Sequence, residues 1–221
     1  MAREPARWYD LYGQPSEIAG RTRKFERKLA ILGLEQALRP GPTLDVACGF
    51  GETLEFLYAR GARDLVGTDL HDRPLAGAGT RYRYLRCACD ALPFPDESFA
   101  NVLCFHSLHH FDDLATVAGF LREAQRVLRP GGLLALIDHY DSWQLRLALR
   151  LILAGVFSWT AAMRSMREQL ALEHDAMAGF FTDWPKIRAL IDECGVEREL
   201  FTRGLFFFYY RGRKPDRLAG R

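Results

Sequence analysis

The sequence predicts an α/β protein: a seven-stranded, mostly parallel sheet with helices on both faces and an antiparallel last strand. Three observations carry that prediction. Between Pro42 and Tyr140, short apolar runs alternate with turns and helical segments. The first of those runs closes on a pair of glycines, Gly49 and Gly51, directly before a helical segment. The chain then ends in two apolar runs, Val196–Phe201 and Leu205–Arg211, turned at Arg203-Gly204. With 221 residues, 48% of them apolar and 12% aromatic, there is enough to bury one sizeable core. The expected layout is a helical cap over 1–40, a core over 41–140, an insertion over 141–182, the end of the core over 183–211 and a basic tail over 212–221.

Each element has its own signal. Thr43 to Ala47 (TLDVA) reads as the first strand, and Glu52 to Arg60 as a helix with Leu54, Leu57 and Tyr58 on one side. Asp64 to Thr68 (DLVGT) forms the second strand and ends at Asp69; Tyr82 to Cys87 forms the third and closes at Asp90. The fourth, Ala100 to Phe105, is entered through the turn Pro95-Asp96-Glu97-Ser98. A long helix from about Asp113 to Leu128 repeats Leu114, Val117, Leu121, Ala124 and Leu128 at helical spacing, with Arg122, Glu123 and Arg126 facing elsewhere. Arg129-Pro130-Gly131-Gly132 stops it, and Leu133 to Asp138 is a fifth strand. A further helix is expected after Trp184-Pro185, running to Cys194-Gly195.

The two flanking pieces are less regular. The cap has a polar start bearing Trp8, Tyr9 and Tyr12, then a helix through Phe25 to Leu38. In the insertion, Leu145 to Met163 is strongly apolar, with Leu145, Leu149, Ile152 and Val156 on one helical face. Arg146 and Arg150 interrupt it, and the uncharged remainder falls short of the ~20 residues of a membrane span.

Charge and cysteine usage exclude several classes. Lysine and arginine number 30 against 28 acidic residues, a net charge of +2, so there is no basic stripe for nucleic acid. The basic tail from Arg211 to Arg221 reads as a solvated, frayed end. Cys87 and Cys89 would face one side of a strand, but no second pair has zinc-finger spacing, so no metal is expected. Five cysteines read as free thiols in a reducing cytoplasm, and Met1 to Asp10 lacks the apolar stretch of a signal peptide.

The chemistry concentrates where strands end. Glycines at 49 and 51 let a backbone approach a ligand and aim amides at it. Asp69, 24 residues after Asp45, suits both hydroxyls of a ribose; Asp90 suits an exocyclic amine, with Ala91, Leu92 and Phe94 as an apolar wall. The plain alternatives are a tight strand-to-helix turn, a helix cap at Asp69 ahead of the segment after Pro74, and a turn residue at Asp90. A dinucleotide fingerprint would need a third glycine where Leu54 stands.

The stretches LDVACGFGETL, LVGTDL, CACDALPFPDESFANVLCFHSLHHF and LREAQRVLRPGGLLALIDH lie in that order and spacing within a run that covers nearly half of the chain. This run, Leu44 to Tyr140, resembles class I S-adenosylmethionine-dependent methyltransferases with a type 11 domain, in the branch of the ubiquinone and menaquinone biosynthesis enzymes. The resemblance implies a Rossmann-like fold with S-adenosylmethionine as cofactor. It places Asp45 and the backbone of Ala47, Cys48, Gly49 and Gly51 at the methionine moiety. Asp69, with Leu70 beside it, would take the ribose, Asp90 with Ala91 the adenine, and Phe105 and His106 the surroundings of the sulfonium. Ala47 departs from the family by replacing the first glycine of its turn.

The implied reaction is methyl transfer to O, C or N of a small hydrophobic or aromatic acceptor; the alternative is a non-catalytic or non-methylating protein that binds the same cofactor. A base is needed only for some acceptors. His110, His139 and Tyr140 are the candidates, with one of His109 and His110 equally readable as an oriented structural histidine. His174 and Asp175 are solvated unless a mobile lid brings them in. Trp143, Phe157, Trp159, Phe180 and Phe181 give the insertion a large apolar area, suited to packing, to a dimer contact, or to an acceptor lid at a membrane surface. Monomer and homodimer both remain open. A protein or RNA methyltransferase lacks support, with neither a basic patch nor an Asn-Pro-Pro-Tyr-type motif.

Overall fold

Alternation by two places successive strand residues on opposite faces of a sheet. Val102 and Cys104 of strand β4 (Phe99–Phe105) therefore join one core, and Leu103 and Phe105 the other. Strand β5 (Leu128–His139) divides the same way, Leu134 and Leu136 against Leu133, Ala135 and Ile137. A sheet that is apolar on both sides needs helices on both. The computed structural model describes residues 25–71, 79–156 and 159–216. Trp8, Tyr9, Tyr12, Pro74, Phe157, the side chain of Asp175 and the tail from 217 onward lie outside the described residues.

Residues 25–32 are helical and pass through Gly33 into the short helix α1 (Leu34–Ala37). Strand β1 (Thr43–Val46), helix α2 (Glu52–Ala59), β2 (Leu65–Asp69) and β3 (Arg83–Arg86) follow. After β4 come a 3₁₀ turn (Leu108–His110), helix α3 (Leu114–Val127) and β5. The chain closes with helices α4 (Trp143–Leu153) and α5 (Ala161–Glu193) and strands β6 (Glu197–Arg203) and β7 (Phe207–Arg213). The sheet order is β3-β2-β1-β4-β5-β7-β6, parallel except where β7 runs antiparallel to β5 and β6. Leu29, Leu32, Leu34 and helix α2 cover one face; α3 and the second half of α5 cover the other. The order turns between β1 and β4, where open sheets of this kind hold ligands at their carboxyl ends.

Helix ends follow local chemistry. Asp113 caps α3 by accepting the Thr116 N–H at 2.8 Å, and Ser142 caps α4 through Leu145 N. Both α2 and α4 end in Schellman geometry, at Gly61 (φ +96°) and Gly155 (φ +78°).

Four expectations need correction. The apolar run 145–163 is not one helix, because Gly155 ends α4 and leaves Val156 exposed beyond it. Conversely, α5 does not start after Pro185 but runs through it. The apolar positions Met177, Phe180, Phe181, Trp184, Ile187 and Ile191 continue across the proline, and their burial offsets the backbone bond it removes. Strand β5 begins at Leu128, paired to Phe99 ahead of a register shift, earlier than the glycines suggest. The basic segment is not all solvated tail, since Arg211 and Arg213 lie in β7 and bond carbonyls of residues 32–37. Among the described residues, no helix is long and apolar enough to cross a membrane.

Candidate functional site

The turn after β1 takes three left-handed residues within five: Ala47 (φ +54°), Gly49 (φ +52°) and Gly51 (φ +75°). Gly51 heads α2 with no side-chain cap, so the first-turn amides of that helix remain available to an anion. At Ala47 the conformation costs about 1–2 kcal/mol that glycine would not pay; the Ser107 hydroxyl, donating to the Ala47 carbonyl at 2.9 Å, helps to hold it. Asp69 fastens the turn from β2. One carboxylate oxygen accepts the Gly49 N–H at 2.9 Å, and the other accepts His71 N–H at 3.0 Å. Beneath lies Gly67, where a Cβ would come within 2.7 Å of Leu54 Cδ1 and 2.8 Å of Cys48 Sγ. Its position inside an apolar strand run was the available signal, and the sequence reading passed over it.

Asp45 is fully buried. Burial, with a smaller push from Asp69 and opposed by a hydrogen bond with Thr53, raises its pKa from 3.8 to about 8. Its Oδ2 is buried with no hydrogen-bond partner among the described residues. A buried carboxyl with an unmatched oxygen fits a cationic amino group, such as the methionine end of S-adenosylmethionine carries.

Asp90, by contrast, is exposed, at the loop following β3. Gly119 of α3 lies against it, and a Cβ there would meet Asp90 Cβ at 2.6 Å. The loop beyond is held by two side chains that the helical pattern marks merely as surface. Glu123 accepts the Leu92 N–H at 2.8 Å, while Arg126 donates to the carbonyls of Leu92 (3.0 Å) and Phe94 (2.7 Å) and to Asp96. Ala91 is exposed in that loop, and Leu70 and Phe50 stand exposed at the other strand ends.

Phe105 is buried at the end of β4, and His106 follows it in a left-handed conformation (φ +57°). Beyond them lies a histidine cluster. Asp138, wholly buried on β5, accepts His109 Nδ1–H at 2.7 Å and the backbone N–H of His109 (3.3 Å) and His139 (2.6 Å). Burial alone would raise the Asp138 carboxyl, yet His109 and His139 hold it well below the usual range. Burial lowers His139, with His109 adding to this and Asp138 opposing it. Burial and then Lys28 push His106 far down. His109 is thus the oriented histidine of its pair, and His110 is exposed with its ring 4.0 Å from that of His109. The Tyr140 hydroxyl donates to the Gly204 carbonyl at 2.8 Å. His174 is exposed on α5. Ligand-type atoms of His109, Asp138 and His139 lie within 4.8 Å of one another, but the 2.7 Å contact is a shared proton's geometry. Asp138 and Lys28 escaped the sequence reading; an acid closing an apolar strand was the signal for the first.

The methyltransferase domain family matches residues 44–136. An uncharacterised methyltransferase of Synechocystis is 30% identical over 176 residues, 77% of this chain and 82% of its own. The 2-phytyl-1,4-naphtoquinone methyltransferase of Synechococcus elongatus is 38% identical over 115 residues, 46% of this chain and 48% of its own. Against that enzyme, as against several other curated relatives, the match spans about half of the relative's length. Among solved structures, a SAM-dependent methyltransferase of Methanosarcina mazei shares the fold at a TM-score of 0.59 and 18% identity, over 83% of this chain and 97% of that one.

Proposed function

The chain belongs to the class I S-adenosylmethionine-dependent methyltransferases, and on that premise we propose that it methylates O, C or N of a small hydrophobic or aromatic molecule. The observation that carries this reading is Asp45, a buried carboxyl at the foot of the glycine turn with one oxygen unmatched among the described residues. S-adenosylmethionine supplies a methyl group already activated by a sulfonium. Asp45 and the backbone of Ala47, Cys48, Gly49 and Gly51 hold the methionine end, and Asp69 with Leu70 takes the ribose. Asp90 and Ala91 meet the adenine, and Phe105 and His106 flank the reacting carbon. The rest of the catalysis is alignment and exclusion of water, which suffices for an in-line displacement.

On the acceptor side, His139 is the base for an acceptor that must lose a proton. His110 is the exposed alternative, and Tyr140 shapes the wall through its bond to Gly204. Helix α4 and the first half of α5 form the lid of the insertion, with Trp143 and Trp159 exposed on it. The quinone-type substrate named for one relative supports an apolar aromatic acceptor.

Calorimetry with S-adenosylhomocysteine tests the cofactor assignment. Asp69→Ala should weaken binding by roughly 10- to 100-fold, the worth of hydrogen bonds to a charged group; unchanged affinity would sink the ribose role. Transfer of labelled methyl from S-adenosylmethionine into organic-extractable products of a cell extract tests the reaction. Cofactor binding without any labelled product would favour a non-methylating protein.

A further inference from the structure

Lys28 belongs to no motif, yet it reaches the acceptor end of the mouth. Its Nζ lies 3.1 Å from His106 Nε2 and 3.6 Å from the centre of the Phe207 ring. Phe207 is placed there by register, since β7 pairs it with His139, and the two rings are 4.5 Å apart. Among the described residues, groups that titrate or carry charge face this spot from four places. Lys28 comes from the helical stretch 25–32, His106 from the end of β4, His109 with His110 from the 3₁₀ turn, and Asp138 with His139 from β5. Phe207 adds an aromatic face and no charge.

These groups have divided roles. Asp138 accepts N–H groups from the 3₁₀ turn and from its own strand, which stabilises its charge where it is. His139 Nδ1 is buried 3.5 Å from Asp138 Oδ1 without a hydrogen bond among the described residues; a carboxylate at that distance favours the tautomer with the proton on Nδ1, which leaves Nε2 as the lone-pair nitrogen. Asp138 is therefore a positioning residue. Lys28 rests on an aromatic face and an imidazole, an arrangement that keeps an ammonium in place while it meets an incoming anion.

We propose, building on the methyl-transfer reading above, that this end of the mouth takes a weakly acidic hydroxyl compound, a phenol or enol, and holds it as its oxyanion against Lys28, with His139 receiving the proton. The O–H bond breaks with its proton on His139 Nε2. The oxygen pair left behind, or the carbon conjugated to it, forms the new bond to methyl, while the pair of the broken C–S bond stays on sulfur. A cation fixed beside a partly desolvated acid lowers that acid's pKa by about 1–3. That drop lets an imidazole kept neutral by burial act as the base near pH 7.

The test uses the full chain saturated with S-adenosylhomocysteine and 4-nitrophenol as probe, whose phenolate is coloured and whose phenol is not. The bound probe should titrate at least about one pH unit below the same probe in buffer, a tenfold shift in its ionisation. Lys28→Met should abolish the shift and Lys28→Arg should keep it, with S-adenosylhomocysteine affinity unchanged within about twofold in both. Below the free midpoint, wild-type protein should bind the probe as phenolate with little proton release, because the oxyanion beside His139 offsets the burial that lowers its pKa and lets it keep the proton. His139→Asn should instead release close to one proton per probe. The proposal is overturned if the wild-type protein does not bind the probe, binds it without a shift, or keeps the shift in Lys28→Met. Stoichiometric proton release by the wild type would remove the His139 assignment. Failure of S-adenosylhomocysteine itself to bind shows before any probe is added; it would strike the cofactor reading and take this proposal with it.

Discussion

Burial of Asp45 at the foot of the turn favours its protonated form and lifts its pKa from 3.8 to about 8. The unfolded chain loses that proton near pH 4 and the folded chain near pH 8, so between these limits the folded state holds a proton that the unfolded state lacks. Stability from this residue is complete below pH 4 and declines as pH rises to about 8. An ammonium bound against the carboxyl reverses the balance, since it favours the ionised form. Cofactor affinity should therefore rise with pH over the same window, and binding at pH 6–7 should release close to one proton. Calorimetry in buffers of unlike ionisation enthalpy measures that proton. Asp45→Asn should abolish its release and flatten the pH dependence of apo stability between 5 and 8. Release that persists in the variant would assign the proton to another group. The sequence showed Asp45, Asp69 and Asp90 as strand-end acids in step, but not how differently they are buried. Burial depends on what packs around a strand end, so Asp45 is enclosed whereas Asp90 is exposed.

Elements were legible where one period governs them. The apolar spacing of α3 and its start near Asp113 were readable, and the structure has both, with Asp113 as the cap. The break in the insertion and the continuity just beyond it were not, because Gly155 ends a helix within an apolar run and Pro185 fails to end one. The left-handed Gly155 decided the first and tertiary packing across Pro185 the second. Side-chain bonds between elements were equally hidden: His109 and Asp138 are 29 positions apart, and Lys28 and His106 are 78 apart. The clamp that α3 places on the loop 92–97 is of this kind, and it gives a prediction at this scale. Arg126 is part-buried and makes bonds to two carbonyls and two carboxylates. Arg126→Ala should raise amide exchange over 92–97 and weaken S-adenosylhomocysteine several-fold through the adenine side, leaving exchange in β1 and β4 as it was. Unaltered exchange in the loop would mean that the turn at Pro93 and Pro95 holds it unaided.

Across the whole molecule, the last strand fastens the described beginning of the chain. Arg211 Nη1 donates to the Leu32 carbonyl at 2.8 Å, and Arg213 Nη2 donates to Ala37 at 2.8 Å. These are the carbonyls that end the helical stretch 25–32 and α1, groups with no partner inside a helix, and a guanidinium there also opposes the negative end of the helix dipole. Glu199 on β6 pairs with both arginines, so the two antiparallel strands form the anchor together. Lys28 rides on the anchored stretch, which couples a basic segment that reads as a solvated tail to the acceptor end of the mouth. Arg211→Met keeps the side-chain stem and removes the donors. It should lower the local opening free energy over 25–37 by about 1–2 kcal/mol, as for a lost hydrogen bond to a charged group that is partly exposed. Hydrogen exchange should show that loss in 25–37 and not in β1, β4 or β5. Affinity for 4-nitrophenol should fall with it, because the ammonium is no longer held in place, while S-adenosylhomocysteine affinity should hold, because Asp45 and Asp69 lie on strands that the anchor does not touch. Loss of both affinities together would show that the N-terminal helices support the entire sheet and not its acceptor end alone.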